Sequence, residues 1–395
     1  MKLCFASHVS FTTDGRRYYC TPGFVKLMEM VAPLYDEVVL CAPLFDNPIP
    51  KGDSAMEVEN LRLHALPSYF GRWEMVALLK PALLMRALWH PIRQADAVLI
   101  NVPNYMGIWA CLVCMLQRRR YALRIAGNWP EYMRQALVGK GYPRIAWAVW
   151  ACHEVLLRTL VRFSATTLAH GNEVAERYGR GSDKVTLVVS STIRQADMAT
   201  EVAGSGSGEK VVLYVGRLIN GKGLDDLLDA AARLREYGFL FRLRLVGDGT
   251  QRERLQRQVE QLRLADRTEF LGWVPIEQLQ SIYRSSDVFV FPSHSETGPK
   301  VVIESMANGL PVVVTRVGSV PSTMLPGRTG FVVPIGDVGG ITNSIEAMLR
   351  DESLRVRMGL ECLARARQFT MEDERDMVGQ ALRRGILLRS RGEEA

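Results

Sequence analysis

Two carboxylates, Glu296 and Glu304, are separated by seven residues within the run SETGPKVVIESMANGLPVVV. The preceding residues 287–293 (DVFVFPS) form a short β-branched and aromatic run that ends in Pro and Ser, the pattern of a buried strand. Residues 301–308 have the pattern of a short helix, with Pro299 near its first position. Glu296 is therefore predicted in the loop beyond the strand, and Glu304 about a turn and a half into the helix. Two such carboxylates could act as acid and base on one bond, or could accept hydrogen bonds from sugar hydroxyls.

Three basic residues follow strand-like runs in the same half of the chain. Arg217 and Lys222 lie between VVLYVG and a helical stretch that begins near Leu224, and Lys300 lies beside Pro299. The helix macrodipole disfavours a cation at a helix amino end by roughly 0.3 to 1 kcal/mol, so both lysines stand against local preference. A lone lysine there would more often be a solvated surface residue, but two lysines and an arginine favour an anion site. With the free N–H groups of two helix ends, they could hold a diphosphate without a metal.

The carboxylates take different roles beside such an anion. Glu304 would be repelled by a diphosphate unless it has another partner, and a carboxylate can accept both hydroxyls of a ribose. Glu296, nearer the loop tip, could contact the hydroxyls of a sugar beyond the diphosphate. The alternative for Glu304 is a structural one, a cap on a neighbouring loop. Gly216 and Gly247 end two further strand-like runs, where small residues let a ligand or backbone approach.

The elements that must position these residues alternate between strand and helix along the whole chain. The strand-like runs of the first half are KLCFAS, EVVLCAP, AVLINV, YALRIA, ATTLAH and VTLVVS, and those of the second half are VVLYVG, RLRLVG, RTEFLG, DVFVFPS, LPVVVT and GFVVPI. This alternation is typical of parallel sheets with helices on both faces, which bind ligands beyond the carboxyl ends of their strands. The sequence predicts an α/β fold of two Rossmann-like domains facing each other across a cleft.

The length of 395 residues exceeds what one ordinary core holds. The Gly/Ser run at 204–209 is predicted to be a linker between a first domain, 1–203, and a second domain, 210–370. Residues 371–395 are predicted to form a further helix that packs back on the first domain.

Composition narrows the class of protein. Hydrophobic residues make up 48% of the chain and charged residues 23%, as in a globular protein. The seven cysteines are scattered, which favours a reduced, cytoplasmic setting, and Cys111 and Cys114 are predicted to pack in a core. The amino-terminal run lacks the pattern of a signal peptide. The uncharged stretch 97–117 is divided by Asn and Pro into a strand and a helix too short to span a bilayer.

Positive charge concentrates in the first half of the chain. Residues 1–200 hold 23 Lys+Arg against 16 Asp+Glu, residues 201–395 hold 26 against 26, and residues 66–162 hold 13 against 4. Within that basic stretch, 69–93 and 142–163 place Trp and Tyr among Leu, Ala and Arg at helical spacing, a pattern suited to an anionic membrane surface. Two ordinary amphipathic helices with solvated arginines are the alternative. No nucleic-acid partner is predicted, because no recognition signature is present.

Five elements, in this order, carry a resemblance: GRL followed by KG, then VGDG, then FLGWVP, then FPS with the two spaced glutamates, then MANGLPVV. Over roughly residues 210–370 the chain resembles the donor half of GT-B glycosyltransferases of the large GT4-type retaining family, the glycosyl transferases group 1. The resemblance implies that Arg217 and Lys222 neutralise the diphosphate leaving group of a nucleotide-sugar. It places Glu296 at the donor sugar as a further catalytic residue and Glu304 at the ribose.

The same resemblance implies further donor contacts. Trp273 and Val274 would border the nucleobase, and the donor-binding residues of the loop and helix start would be Thr297, Gly298, Pro299, Lys300 and Val301. Such enzymes use the nucleotide-sugar as co-substrate, need no metal or other cofactor, and retain the anomeric configuration. The segment between the glutamates departs from the commoner pattern of two glycines and an aromatic residue, and its proline removes one N–H donor. The identity of the sugar is therefore not inferred.

The acceptor side is indicated more by topology than by motif. Asp14, Gly15, Arg16 and Arg17 follow the first strand, and we expect Arg16 or Arg17 to contact a phosphate. Many relatives have a histidine after the middle strand, where this chain has Asn128; the amide could replace it by hydrogen bonding, and a plain turn is the alternative. His170 ends another strand, either at the acceptor or as a structural histidine.

Together these features predict a cytoplasmic enzyme, peripheral on the inner face of the cytoplasmic membrane. It would move a sugar from a nucleotide-sugar to a saccharide or lipid-linked acceptor used in surface polysaccharide synthesis. Two alternatives stay open: a nucleotide-sugar epimerase of the same fold, which would need acid and base groups on the opposing domain, and a non-catalytic nucleotide-sugar-binding protein.

Overall fold

The structure is a computed structural model that describes residues 1–50, 52–67, 80–126, 142–180, 182–206, 208–296 and 298–384. The chain divides into two compact units, Met1–Val188 with Glu374–Ala395, and Val189–Asp373. The division falls before the predicted linker at 204–209, which lies inside the second unit. The reason is packing: Ile193 is buried in the second core, and the Gly204 amide donates to the Arg284 carbonyl at 3.0 Å.

The first unit is built on a mostly parallel sheet. Its strands are β1 Lys2–Ala6, β2 Phe11–Thr13, β3 Tyr18–Cys20, β4 Glu37–Phe45, β5 Ser54–Ala55, β6 Leu61–Leu66, β7 Ala97–Val102, β8 Ala122–Ile125, β9 Thr166–His170 and β10 Val185–Val188. The parallel strands follow the order β10-β9-β8-β7-β1-β4, and β6 pairs with β4. Strands β2, β3 and β5 extend the sheet beyond β4, with antiparallel pairing of β3 to both of its neighbours.

Helices connect these strands. They are α1 Pro22–Val31, α2 Pro81–Gln94, α3 Tyr105–Leu116, α4 Pro143–Phe163 and α5 Asn172–Gly179. The side chains of β7 are buried along its whole length, as expected of a parallel strand covered on both faces. Cys111 and Cys114 lie in this core as predicted, and burial raises the pKa of both thiols.

The second unit has one parallel sheet. Its strands are β11 Lys210–Val215, β12 Phe241–Val246, β13 Thr268–Gly272, β14 Val288–Phe291, β15 Val312–Thr315 and β16 Gly330–Val333. Their order is β13-β12-β11-β14-β15-β16. The helices are α6 Leu224–Glu236, α7 Arg252–Gln261, α8 Ile276–Arg284, α9 Lys300–Ala307, α10 Val320–Thr323, α11 Val338–Arg350 and α12 Glu352–Ala366. This is the strand order of a Rossmann sheet, with the reversal between β11 and β14.

A last helix, α13 Met371–Leu382, begins in the second unit, and from Glu374 onward the chain belongs to the first. None of the helices in the described part of the chain combines the length and the apolar character that crossing a bilayer requires. Each unit is thus an α/β layer structure with its own buried core.

Candidate donor-binding site

The carboxyl ends of β11 and β14 bring together the loops that carry Lys222 and Glu296. The two strands are parallel neighbours, so both loops leave the sheet at the same edge. Because the strand order reverses between them, the loops diverge and leave a crevice, the usual ligand site of such sheets. The structure therefore places the predicted catalytic loop residues at the switch point of the second sheet.

Glycines allow a close approach at this edge. Gly247 has φ +128°, and a Cβ there would lie 2.0 Å from the Gly216 carbonyl oxygen, so only glycine fits. A Cβ on Gly223, which precedes α6 with φ +67°, would lie 1.9 Å from the Pro292 carbonyl oxygen. The loop after β11 is thus pressed against its neighbours on both sides, which fixes the position of Lys222.

Lys222 and Glu296 contact each other directly. The Lys222 ammonium donates a hydrogen bond to Glu296 Oε1, and these side chains are 12% and 18% exposed. The same ammonium lies 5.9 Å from the centre of the Phe291 ring, within the range of a cation–π contact. Ser293 Oγ lies 3.4 Å from Glu296 Oε1. The pair is therefore a partly buried ion pair whose charges neutralise each other in this state.

Arg217 is exposed at the rim of the same loop, and no ion pair links it to another described residue. Its carbonyl accepts a hydrogen bond of 3.2 Å from the hydroxyl of Tyr214. Burial raises the pKa of Tyr214, and the nearby Glu296 raises it further, so this phenol stays neutral and can donate. The backbone at Arg217 is thus fixed while its guanidinium stays available to an anion.

Glu304 is deeply buried, with 7% of its surface exposed. The Thr192 hydroxyl donates to Oε1, and the Tyr283 hydroxyl donates to Oε2 at 3.0 Å. Burial, and then the charge of Glu304, raise the pKa of Tyr283 well above its usual value, so the phenol remains a donor. The carboxylate therefore accepts hydroxyl groups, as the predicted ribose contact requires, but the hydroxyls here belong to the protein. A carboxylate accepts about four hydrogen bonds, which leaves room for a ligand hydroxyl, and the ribose role stays a prediction.

The loop between the glutamates leads into α9. Lys300 is the first residue of that helix, and Pro299, with φ −73°, precedes it. A Cβ on Gly298 would lie 3.5 Å from Ser319 Oγ. Val301 packs against the core of the second unit, and Thr297 lies outside the described residues. Lys300 thus stands at a helix amino end, as predicted.

Trp273 and Val274 follow the edge strand β13. Trp273 is 58% exposed, and Val274 packs against the core. The Gly272 carbonyl accepts a 2.7 Å hydrogen bond from the Gly247 amide, which ties this loop to the end of β12. This hydrogen bond fixes the start of the loop that carries the exposed indole of Trp273. The contact of that indole with a nucleobase stays a prediction.

Asp14 organises an exposed hairpin between β2 and β3 in the first unit. Its Oδ1 accepts hydrogen bonds from the amides of Arg17 at 2.7 Å and Arg16 at 2.8 Å, and Tyr19 donates to Oδ2 at 2.8 Å. These bonds lower the pKa of Asp14. Gly15 supplies φ +85° at the turn, and Arg17 pairs with Glu57 at 2.9 Å. Asp14 and Gly15 therefore shape the turn, and Arg16 is exposed beside it.

His170, also predicted on the acceptor side, lies on a strand that does not pair with those of the hairpin. His170 is the last residue of β9 and is 5% exposed, and Asn128 lies outside the described residues. The sequence did not indicate a group of polar side chains that are hydrogen-bonded to one another at the neighbouring strands β8, β7 and β1. Asn101 donates to Ser7 Oγ at 3.0 Å and accepts from Arg124 at 3.3 Å. Burial lowers the pKa of Arg124 to about 10, and Glu374 opposes the shift.

The hydroxyl donors to Glu304, Thr192 and Tyr283, were not predicted either. Thr192 lies 112 residues before Glu304, and no sequence motif links the two. Within the described ranges, His, Cys, Asp and Glu side chains do not assemble into a group of three or more that could hold a metal ion. Lys222 and Lys300 stand at the amino ends of α6 and α9, and Arg217 is exposed in the loop that follows β11.

Comparison with known proteins locates the same region. Residues 197–361, all within the second unit, match the family model described as glycosyl transferases group 1. The chain is 32% identical over 222 residues to a D-inositol 3-phosphate glycosyltransferase of Nocardia farcinica, covering 53% of this chain and 49% of that protein. It is 36% identical over 148 residues to the lipopolysaccharide core biosynthesis glycosyltransferase LpsE of Rhizobium meliloti, covering 38% and 42%. The chain spans about half the length, or less, of these relatives.

The fold likeness extends over the whole chain. The structure of Anabaena HepE in complex with UDP and glucose superposes with a TM-score of 0.68 at 18% identity, covering 97% of this chain and 99% of that one. The predicted fold class is confirmed: the chain has the GT-B fold, with two Rossmann-like domains. The predicted resemblance to glycosyl transferases group 1 is confirmed over the matched residues.

Proposed function

We propose that the protein is a retaining, metal-independent glycosyltransferase that moves a sugar from a nucleotide-sugar to an acceptor. The observation that carries the proposal is the Lys222–Glu296 pair at the switch point of the second sheet, inside the residues that match the family model. A cation for the leaving group and an acceptor of sugar hydroxyls are thereby placed side by side. The HepE complex, whose partners are UDP and glucose, supports a nucleotide-sugar as donor.

The leaving diphosphate would be bound without a metal, by basic side chains and by helix N–H groups. Lys222 precedes α6 and Lys300 opens α9, so two ammonium groups stand at helix amino ends whose free N–H groups also attract anions. Arg217 adds a guanidinium suited to a bidentate phosphate contact. In the transition state, negative charge grows on the phosphate oxygen, and fixed cations beside it lower the barrier.

Donor binding would also release Glu296. Without a ligand, its carboxylate accepts from Lys222, and a diphosphate of higher charge density competes for that ammonium. Once the pair opens, Glu296 can accept hydrogen bonds from the donor sugar, and Glu304, one and a half turns into its helix, from the ribose. The two carboxylates then orient the donor at both ends of the diphosphate.

The configuration would be retained by attack on the same face of the anomeric carbon from which the leaving group departs. The acceptor oxygen forms a bond to the anomeric carbon while the bond from that carbon to the phosphate oxygen breaks. The acceptor's proton passes to the departing phosphate oxygen, so no metal and no protein base are needed for proton balance. The residues of this chain bind, orient and neutralise charge.

The acceptor is assigned by class. The likeness to LpsE, a lipopolysaccharide core biosynthesis enzyme, supports a saccharide acceptor, and a lipid-linked saccharide of surface polysaccharide synthesis is proposed. Such an acceptor would place the enzyme in the cytoplasm, peripheral on the inner face of the membrane.

The test is a transfer assay with a panel of radiolabelled nucleotide-sugars and membrane extract. Label is expected in an acceptor fraction with one donor, with and without EDTA, and chelator-sensitive transfer would contradict the metal-free account. A donor sugar altered in the absence of acceptor would favour an epimerase. Tight donor binding with neither reaction would identify a binding protein.

A further inference from the structure

Helix α4 of the first unit exposes large apolar side chains along one face. Ile145 and Trp147 are each 54% exposed, Val155 is 66% exposed, and Phe163, at the carboxyl end, is 63% exposed. The opposite face packs into the core through Ala146, Leu157, Leu160 and Val161. The helix is therefore anchored on one side and presents an apolar band on the other, over most of its 21 residues.

The same helix presents positive charge without exposed negative charge. Arg144, Arg158 and Arg162 are exposed, and the one carboxylate of residues 143–163, Glu154, is 6% exposed. Glu154 accepts from Arg158 at 2.8 Å and from the Tyr178 hydroxyl at 3.0 Å, so its charge is neutralised inside the unit. What faces outward is a surface on which apolar side chains and arginines are interspersed.

The carboxyl end of α4 adds a basic recess. Phe163 borders a cavity of about 450 Å³ that is also lined by Arg120, Lys184 and Arg384, against one carboxylate, Asp183. The Lys184 ammonium donates to the carbonyl of Ser164 at 3.4 Å, which holds it at the end of the helix. Positive side chains therefore continue the apolar band beyond the helix, in a space that could hold a small anionic group.

We propose that the exposed face of α4, with the basic recess at its end, docks on an anionic lipid bilayer. An amphipathic helix that lies in the membrane interface combines Trp and Phe on the apolar side with Lys and Arg on the polar side. Arginine stems cover apolar surface while their heads reach headgroup phosphates, and an indole suits the same depth. A carboxylate on this face would oppose the negative surface potential of the bilayer, and the single carboxylate of α4 is turned inward.

Charge complementarity is tested by sedimentation of the full chain with vesicles. Vesicles of phosphatidylcholine with phosphatidylglycerol are expected to bind the protein, vesicles of phosphatidylcholine alone much less, and added salt should weaken binding. The double substitution R144Q/R162Q should weaken binding about thirtyfold, from about 1 kcal/mol for each basic residue near the surface. The matched control is R257Q/R357Q, two exposed arginines of the second unit, which should leave binding unchanged.

The apolar band is tested separately. The variant I145S/W147S/V155S should lose vesicle binding, while L240S/L360S, which replaces exposed leucines of the second unit, should keep it. Circular dichroism and thermal melting show whether each variant is folded, and R144Q/R162Q, which leaves every buried group intact, decides the matter if the triple variant unfolds.

Two results would overturn the proposal. The first is vesicle binding that does not depend on anionic lipid or on the α4 substitutions. The second is a concentration-dependent dimer that the triple variant abolishes without any loss of vesicle binding, because the face would then belong to a second copy of the chain. Neither measurement uses turnover, so the outcome is independent of the proposed transferase activity.

Discussion

The two sheets of the molecule share a parallel strand order with one reversal, but they place different chemistry at the reversal point. In the second sheet, the loops after β11 and β14 carry the opposite charges of Lys222 and Glu296 in contact. In the first sheet, the ends of β1 and β7 carry amide, hydroxyl and imidazole groups, with Asn101 bonded to Ser7 and Asn104 3.1 Å from His8. The same topology therefore presents an ion pair at the switch point of the second sheet and a group of hydrogen-bonded polar side chains at that of the first.

The largest effect is expected at the switch point of the second sheet, where Lys222 and Glu296 lie. The substitution Lys222→Ala should lower the transfer rate by on the order of a hundredfold or more, because it removes a cation from the leaving phosphate. The rate should be measured at saturating donor and acceptor. Arg257→Ala, an exposed arginine of the same unit, is the control, and a loss of similar size in both variants would show a general charge effect.

Glu296→Gln separates the two roles of the carboxylate. Glutamine keeps one acceptor oxygen but loses the charge that pairs with Lys222, so transfer should fall about tenfold to a hundredfold while the fold persists. Glu253→Gln on α7 is a matched exposed substitution that should leave the rate unchanged. An unchanged rate in Glu296→Gln would remove this residue from the site.

Stability should respond at the buried carboxylate of the second unit. Tyr283→Phe removes a donor to buried Glu304 and should lower the free energy of unfolding by about 1 to 3 kcal/mol, as for other buried groups left without a partner. Urea unfolding followed by circular dichroism measures the change. Tyr237→Phe, an exposed tyrosine, should change stability little, and an equal loss there would contradict the argument.

The smallest effect is expected at the exposed hairpin of the first unit. Hydrogen bonds from the amides of Arg17 and Arg16 hold the native pKa of Asp14 below its usual value, so its ionised form stabilises the fold above that usual value, and this contribution is lost as the pH falls through the native pKa. The stability difference between the wild type and Asp14→Asn should therefore be present at neutral pH and shrink in acid. A difference that grows in acid would show that the turn bonds do not favour the carboxylate.

The sequence was most informative where a motif and an element coincided. The strands predicted for both halves, including those that precede Lys222 and Glu296, are all present, because continuous β-branched runs between turn residues have few other structures available. Strands β2, β3, β5 and β6 were not predicted: the first three have only two or three residues each, and β6 is only partly buried.

Side-chain partners that are distant in sequence could not be predicted in the same way. The hydrogen bonds from Thr192 and Tyr283 to Glu304 depend on the path of the chain as it enters the second unit after β10, and no local sequence pattern predicts that path. The sequence did not indicate that Asp14 accepts hydrogen bonds from the amides of Arg16 and Arg17, and its place at an acceptor site stays a prediction. The periodicity of a sequence predicts its strands and helices, but contacts between side chains on different elements can be predicted only once the fold is known.

The central claim, that the switch point of the second sheet binds the diphosphate of a nucleotide-sugar, is tested most directly by titration calorimetry. Nucleoside diphosphates and their sugars are titrated into the wild type, Lys222→Ala and Arg257→Ala. Binding should weaken at least about tenfold in Lys222→Ala, the loss of one charge-assisted contact, and stay unchanged in Arg257→Ala, an exposed arginine of the same unit. Equal affinity of Lys222→Ala and the wild type for every ligand that binds would contradict the account.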